Sequence, residues 1–127
     1  MKMQMKMWVA GVCGSVLMGA MLPAIADTAP LSYKASPAVY KVIAEDENMR
    51  LGIATWQPGQ KDEFHSHPTT AFYTIKACHA RVTTPDGKTF EVNWKPGEGR
   101  INGPVKAHTF ENLLKTECQQ LFVELKK

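Results

Sequence analysis

The residues best suited to chemistry in this chain are histidines, and three of its four stand where they can act together. His65-Ser66-His67 lies inside PGQKDEFHSHPTTAF (58–72). Side chains of an extended strand alternate from face to face, so His65 and His67 point the same way and can direct ring nitrogens at one cation. A third donor has to arrive from elsewhere in the fold, and His108 in KAHTFEN (106–112) is the candidate. Three neutral imidazoles with an open coordination position form a catalytic-type centre for a divalent transition metal: Zn²⁺, or Fe, Cu, Ni or Mn with added water. Glu63 shares the parity of His65 and is the alternative ligand. An HxH also arises on solvated strands without any metal, and Pro68 removes a ladder hydrogen bond right after His67, implying an edge or a bulge there. His79, beside Cys78, opens a hairpin strand and reads as solvated surface in preference to a fourth ligand. Arg81, Arg100 and Lys106 are the cations that could orient an anionic substrate.

The elements that must hold these histidines read as strands. Val39–Ala44 is stopped by the polar run Glu45-Asp46-Glu47-Asn48. Met49–Trp56 follows, with Leu51, Ile53 and Thr55 alternating against Arg50, and Pro58-Gly59 turns the chain. Ala71–Lys76 is aromatic and β-branched, which suits a pleated surface. His79–Thr84 and Lys88–Trp94 flank Pro85-Asp86-Gly87, a strong hairpin signal, with Phe90, Val92 and Trp94 on one face. Lys106–Asn112 and Leu121–Leu125 complete the set. The only stretch with helical character is Asn112 to Glu117. Short strands separated by Gly/Pro turns predict an all-β sandwich or barrel in one domain.

The first 26 residues read as a secretory signal peptide. Lys2 and Lys6 precede the uncharged stretch Trp8–Leu22, and Ala24-Ile25-Ala26 is a small-x-small cleavage site before Asp27. Left uncleaved, this stretch would serve as an amino-terminal anchor. Residues 27–37 carry two prolines and no periodicity and read as a flexible or loosely docked lead-in. The whole chain has 15 Lys and Arg against 12 Asp and Glu; without Lys2 and Lys6 the formal charge falls from +3 to +1. No basic cluster remains to suggest nucleic acid, and no amphipathic helix to suggest a membrane surface. Two cysteines, Cys78 and Cys118, remain after the leader. An even count in an exported, periplasmic or extracellular protein favours a disulfide over two separate buried thiols.

Taken together, these residues resemble the cupin family of small jelly-roll β-barrels. Its first motif runs Gly, five residues, His-x-His, and here Gly59 precedes QKDEF and His65-Ser66-His67. Its second ends His, three residues, Asn, matched by His108 and Asn112, with Gly99 and Pro104 upstream in a looser fit. The chain departs from the family where a metal-binding Glu would fall: Ala71 or Phe72 stands there, and neither coordinates. The Pro104-to-His108 spacing is one residue short, and the glycine that closes the first motif is replaced around Lys76-Ala77-Cys78.

The resemblance implies a single-domain cupin-type β-barrel over residues 38–127, with His65, His67 and His108 as metal ligands. Phe72, Thr74 and Asn112 would line the cup, the latter two supporting the histidines. Phe72, Tyr73, Trp56 and Trp94 would be core or cup lining. Cys78 and Cys118 would meet at one end of a sheet, and the protein would be a homodimer, as many small cupins are. The implied function is an exported cupin holding a metal and a small molecule, in the enzymatic version a metal-dependent dioxygenase. An isomerase or epimerase is weaker because no clear carboxylate base accompanies the histidines. The alternative is a non-catalytic binding protein for a sugar, an organic acid or a metal.

Overall fold

Nine antiparallel strands and one helical turn organise residues 28–127, the part of the chain described by this computed structural model. The leader lies outside the described residues. The strands are β1 (Tyr40–Glu45), β2 (Met49–Trp56), β3 (His65–His67), β4 (Thr70–Lys76), β5 (Cys78–Thr83), β6 (Thr89–Trp94), β7 (Gly99–Asn102), β8 (Val105–Asn112) and β9 (Cys118–Leu125). They form two sheets, ordered β1-β2-β9-β4-β7 and β3-β8-β5-β6. Between them lies a core built on Tyr40, Trp56, Phe72, Val82, Phe110 and Phe122. No helix among the described residues is long and apolar enough to cross a membrane.

The turn chemistry explains the connections. Gly59, Gly87 and Gly97 all adopt positive φ, the left-handed conformation that a residue with a Cβ seldom takes. Gly87 closes the β5–β6 hairpin that Pro85-Asp86-Gly87 predicts, with Thr83 opposite Thr89. Cys78 and Cys118 form a disulfide across 40 residues, with Cα atoms 4.8 Å apart. Because Cys78 begins β5 and Cys118 begins β9, the bond ties one sheet to the other. A cross-link over a loop of this length stabilises a fold by about 4 kcal/mol in the chain-entropy account.

Two sequence expectations are corrected here. On β2 the buried side chains are Arg50, Ala54 and Trp56, with Gly52 in the same register, while Leu51, Ile53 and Thr55 turn outward. Gly52 is needed on the inner face because Phe122 lies against it; a Cβ there would overlap the Phe122 ring. Arg50 is admitted because Glu124, on the neighbouring strand, faces it. The stretch after Asn112 forms bends and no helix; the one helical turn, α1, is Ser32–Ala35. Within the lead-in, residues 29–31 are held against β3. Ser66 N–H donates to the Pro30 carbonyl at 2.8 Å, Ser66 Oγ–H to the Ala29 carbonyl at 2.6 Å, and Leu31 makes a parallel bridge to Ser66. This segment covers the free edge of β3 through main-chain bonds, which leave no pattern in side-chain polarity.

Candidate metal centre

β3 is three residues long and buried throughout, with His65 at 0 % and His67 at 6 % exposure. It pairs with β8 so that His65 stands opposite His108, and the register slips before His67 meets Val105. That slip is the irregularity Pro68 foreshadows. It leaves both histidines directed inward, and β8 delivers His108 to the same point. The three ligating nitrogens lie within 4.8 Å of one another. His65 Nε2 is 3.0 Å from His67 Nε2 and 3.0 Å from His108 Nε2.

The hydrogen bonds behind the rings decide what these nitrogens present. His65 Nδ1–H donates to the Glu63 carbonyl at 2.8 Å, and His67 Nδ1–H to Glu124 Oε1 at 3.0 Å. A neutral imidazole with its proton on Nδ1 carries a lone pair on Nε2. Two lone pairs therefore face each other at 3.0 Å. Burial, aided by the neighbouring rings, pulls His65 down to about 3 and His108 to about 4, so neither of these two rings relieves the conflict by taking up a proton at neutral pH. A shared cation does resolve it. Two nitrogens about 2.1 Å from one ion lie roughly 3.0 Å apart at a right angle and roughly 3.4 Å apart at the tetrahedral angle. The donor set fits a divalent transition metal.

Three residues not anticipated from the sequence, Tyr40, Asp62 and Glu124, complete the surroundings. Tyr40 Oη lies 3.1 Å from His65 Nε2 and donates to Asp62 Oδ2, also at 3.1 Å. Asp62 is 5 % exposed and further accepts from Trp56 Nε1–H and the Phe110 amide, yet burial pushes it up to about 7. Glu124, fully buried, accepts from His67 on one oxygen and from Arg50 at 2.9 Å on the other. These hydrogen bonds hold its carboxyl below the ordinary value against the opposing pull of burial. The carboxylate missing from the ligand positions is thus found one layer out, behind His67. Its signal in the sequence is a charged residue on the inward parity of a closing strand, in register with Phe122 and Gln120.

The histidines open on a cavity of about 40 Å³ lined by His67, His108, Phe72, Trp94, Arg100 and Gln120, among others. Phe72, Trp56 and Trp94 are among the residues that line this cavity. Thr74 and Asn112 are not. Thr74 is buried with no hydrogen-bond partner for Oγ1, and Asn112 ties a turn together, donating to the carbonyls of Trp56, Gln57 and Thr116. Glu63 is exposed and serves His65 through its backbone, because β3 begins only at His65 and strand parity does not extend back to it. Tyr73 is half exposed on the outer face of β4. His79 pairs with Glu91 at 2.7 Å on the surface, Arg81 pairs with Glu111, and Lys106 is exposed. Of the three candidate cations only Arg100 reaches the cavity.

No protein-family model matches this sequence, and no curated protein matches it significantly. Solved structures do. A cupin domain from Bordetella pertussis Tohama I superposes with a TM-score of 0.65 at 18 % identity, over 70 % of this chain and 93 % of its own. This is a cupin fold. A protein with a double-stranded β-helix domain from Klebsiella pneumoniae matches at TM-score 0.55 and 20 % identity, over 68 % of this chain and 75 % of that one. A cupin superfamily protein from Desulfitobacterium hafniense DCB-2 matches at 0.52 and 13 %, over 70 % and 77 %. At these identities the likeness establishes the cupin barrel and nothing finer. The three histidines of this chain, His65, His67 and His108, form a group able to hold a metal ion.

Proposed function

We propose that the protein is an exported cupin that binds one divalent transition metal on His65, His67 and His108 and a small molecule in the cavity beside them. The observation that carries this reading is the pair of Nε2 lone pairs held face to face by Glu63 and Glu124. Three neutral imidazoles backed by a carboxylate suit Zn²⁺, Cu²⁺ or Fe²⁺ ahead of harder ions. Once bound, such an ion supplies Lewis acidity and, for iron or copper, redox chemistry with O₂. The protein's own part is to fix the tautomers, to keep Tyr40 against His65, and to wall the site with Trp56, Phe72, Trp94 and Phe110.

That apolar wall, with no nucleophile in it, favours a dioxygenase-type activity if the protein is an enzyme. The alternative, a non-catalytic binding protein for a sugar, an organic acid or a metal, draws support from the small size of the cavity. Export is supported by the leader and by the disulfide, which persists in oxidising compartments. A homodimer through the outer face of the five-stranded sheet is supported by Leu51, Ile53, Tyr73, Ile101, Leu121 and Val123, an apolar surface with polar residues around it.

Elemental analysis of the exported protein beside a His65→Ala/His67→Ala variant tests the centre. One metal per chain is expected in the first and a trace in the second; equal sub-stoichiometric metal in both would sink the reading. Intact mass and light scattering on the same sample read the rest, with a chain starting at Asp27 and a twofold assembly expected. Oxygen uptake with candidate substrates separates the enzyme from the binding protein, which would show ligand-dependent thermal shifts and no product.

A further inference from the structure

Arg100 sits on β7 with its guanidinium carbon 3.4 Å from the Trp94 ring centre and 4.5 Å from that of Phe72. One of its five N–H donors meets a protein acceptor, Nη2–H to Gln120 Oε1 at 2.9 Å. Its Nε is buried with no acceptor among the described residues. No carboxylate among the described residues lies within ion-pairing distance of it, although the other two arginines, Arg50 and Arg81, each have one. Burial draws Arg100 down to about 10, which still leaves it cationic at neutral pH. A partly buried cation without an anion is costly, and stacking on two aromatic rings offsets only part of that cost.

The geometry points to Arg100 as the anchor of a small carboxylate ligand, held in the cavity between its guanidinium and His67 and His108. This builds on the proposed metal centre and adds the chemical class of the ligand. The guanidinium's planar fork matches a carboxylate in two parallel hydrogen bonds, and its Nη1 hydrogens meet no protein acceptor among the described residues. The cavity holds Arg100, His67 and His108 in one space, so an anion there meets Arg100 on one side and the metal-binding nitrogens on the other. A volume of about 40 Å³ corresponds to roughly three or four water positions. That is room for a carboxylate head with one carbon attached. Tyr40 Oη and Asn102 are the remaining polar groups of the lining that could complete its hydrogen bonds.

The test is calorimetric titration of acetate and of its neutral isostere acetamide into the disulfide-bonded protein, once loaded with Zn²⁺ and once stripped by chelator. Acetate is expected to bind and acetamide to bind roughly tenfold more weakly or not at all, since a charge-assisted hydrogen bond is lost. Arg100→Met should weaken acetate binding by roughly tenfold or more while zinc stoichiometry stays that of the wild type. If Arg100→Met fails to fold, Arg100→Lys keeps the charge, removes the fork, and should still weaken acetate relative to wild type. Equal binding of acetate and acetamide, no acetate binding in either form, or full acetate affinity in the Arg100 variant would overturn the assignment. The two readings fail separately. Absence of zinc binding defeats the metal centre, while Arg100-dependent acetate binding to the stripped protein would still uphold the anchor.

Discussion

Two arginines enter the interior of this barrel, and they are treated in opposite ways. Arg50 and Arg100 both rest on aromatic rings, Arg50 at 4.1 Å from the centre of Tyr33 and Arg100 against Trp94 and Phe72. Arg50 is then fully answered: Nη1 donates to Glu124 and Nε to Glu45 at 3.0 Å. Arg100 has one amide oxygen. The first is part of a continuous line, His67–Glu124–Arg50–Glu45, running from the candidate metal centre to the surface. The second faces the cavity. An ion pair completed inside the protein orients a ligand histidine; a cation left incomplete awaits its counter-ion from outside. The same contrast holds for the buried carboxylates. Glu124 beside Arg50 stays ionised, whereas Asp62, supported only by neutral donors, is pushed up to about 7.

The contrast can be broken most directly by removing each cation. Arg50→Met leaves the Glu124 carboxylate, which has no solvent exposure, without its cation. A loss of about 3 to 5 kcal/mol is expected, as for other broken buried pairs. Arg100→Met exchanges an unanswered cation for an apolar chain among aromatic rings and should fall within about 1 kcal/mol of the wild type. Urea denaturation of the chelator-treated proteins measures both. Similar losses in the two variants would mean that Arg100 is as structural as Arg50.

How far the sequence reveals all this depends on what each interaction writes into side-chain polarity. Strand positions, the Pro-Asp-Gly hairpin and the convergence of His65, His67 and His108 all follow from alternation and turn chemistry, which are local. The sense of alternation on β2 does not. Leu51 and Ile53 look like the inward residues until Glu124, 74 residues beyond Arg50, is seen to neutralise it. A buried ion pair inverts the polarity rule on both strands at once, and neither strand alone shows it. Asn112 and Thr74 fail as cup residues for a different reason. Both are buried on strands at the right parity, but the Asn112 amide is claimed by three turn carbonyls and Thr74 is not among the residues lining the cavity.

A second way to sharpen the contrast is pH. In the metal-free protein His65 and His108 have folded-state values near 3 and 4, below the ordinary 6.5, so the folded form binds fewer protons than the unfolded one. Their stabilising contribution is complete above pH 6.5 and is lost as pH falls towards 4. Asp62 runs the other way: raised to about 7 from 3.8, it contributes fully below 3.8, and that contribution is lost as pH rises through 7. Between pH 6.5 and 4 two histidines oppose one carboxyl. The net expectation is a loss of about 3 kcal/mol on acidification. Asp62→Asn removes the opposing contribution and should steepen the fall. A profile that is flat in the wild type and unchanged in Asp62→Asn would contradict this assignment of buried, neutral groups.

The smallest effect is the most specific. Glu124→Gln keeps an oxygen to accept from His67 Nδ1–H, so the tautomer and the facing lone pairs persist, but the negative charge behind the ligand is gone. Arg50 Nη1 then meets the amide nitrogen, a donor that cannot accept from it, and Arg50 keeps only its pair with Glu45. Metal affinity should fall by roughly 10- to 100-fold, the usual consequence of losing a carboxylate behind a ligand histidine. Arg100→Met should leave it unchanged, because Arg100 touches no histidine. Competition with a chromophoric chelator at fixed pH gives both numbers. Repeating it across pH separates charge from shape: a lost charge weakens zinc uptake, while a lost orientation would also reduce the number of ions bound per chain. If Glu124→Gln binds zinc as tightly as the wild type, the line from His67 to Arg50 is a strut only. If Arg100→Met weakens zinc as much as Glu124→Gln does, the division of labour between the two arginines fails.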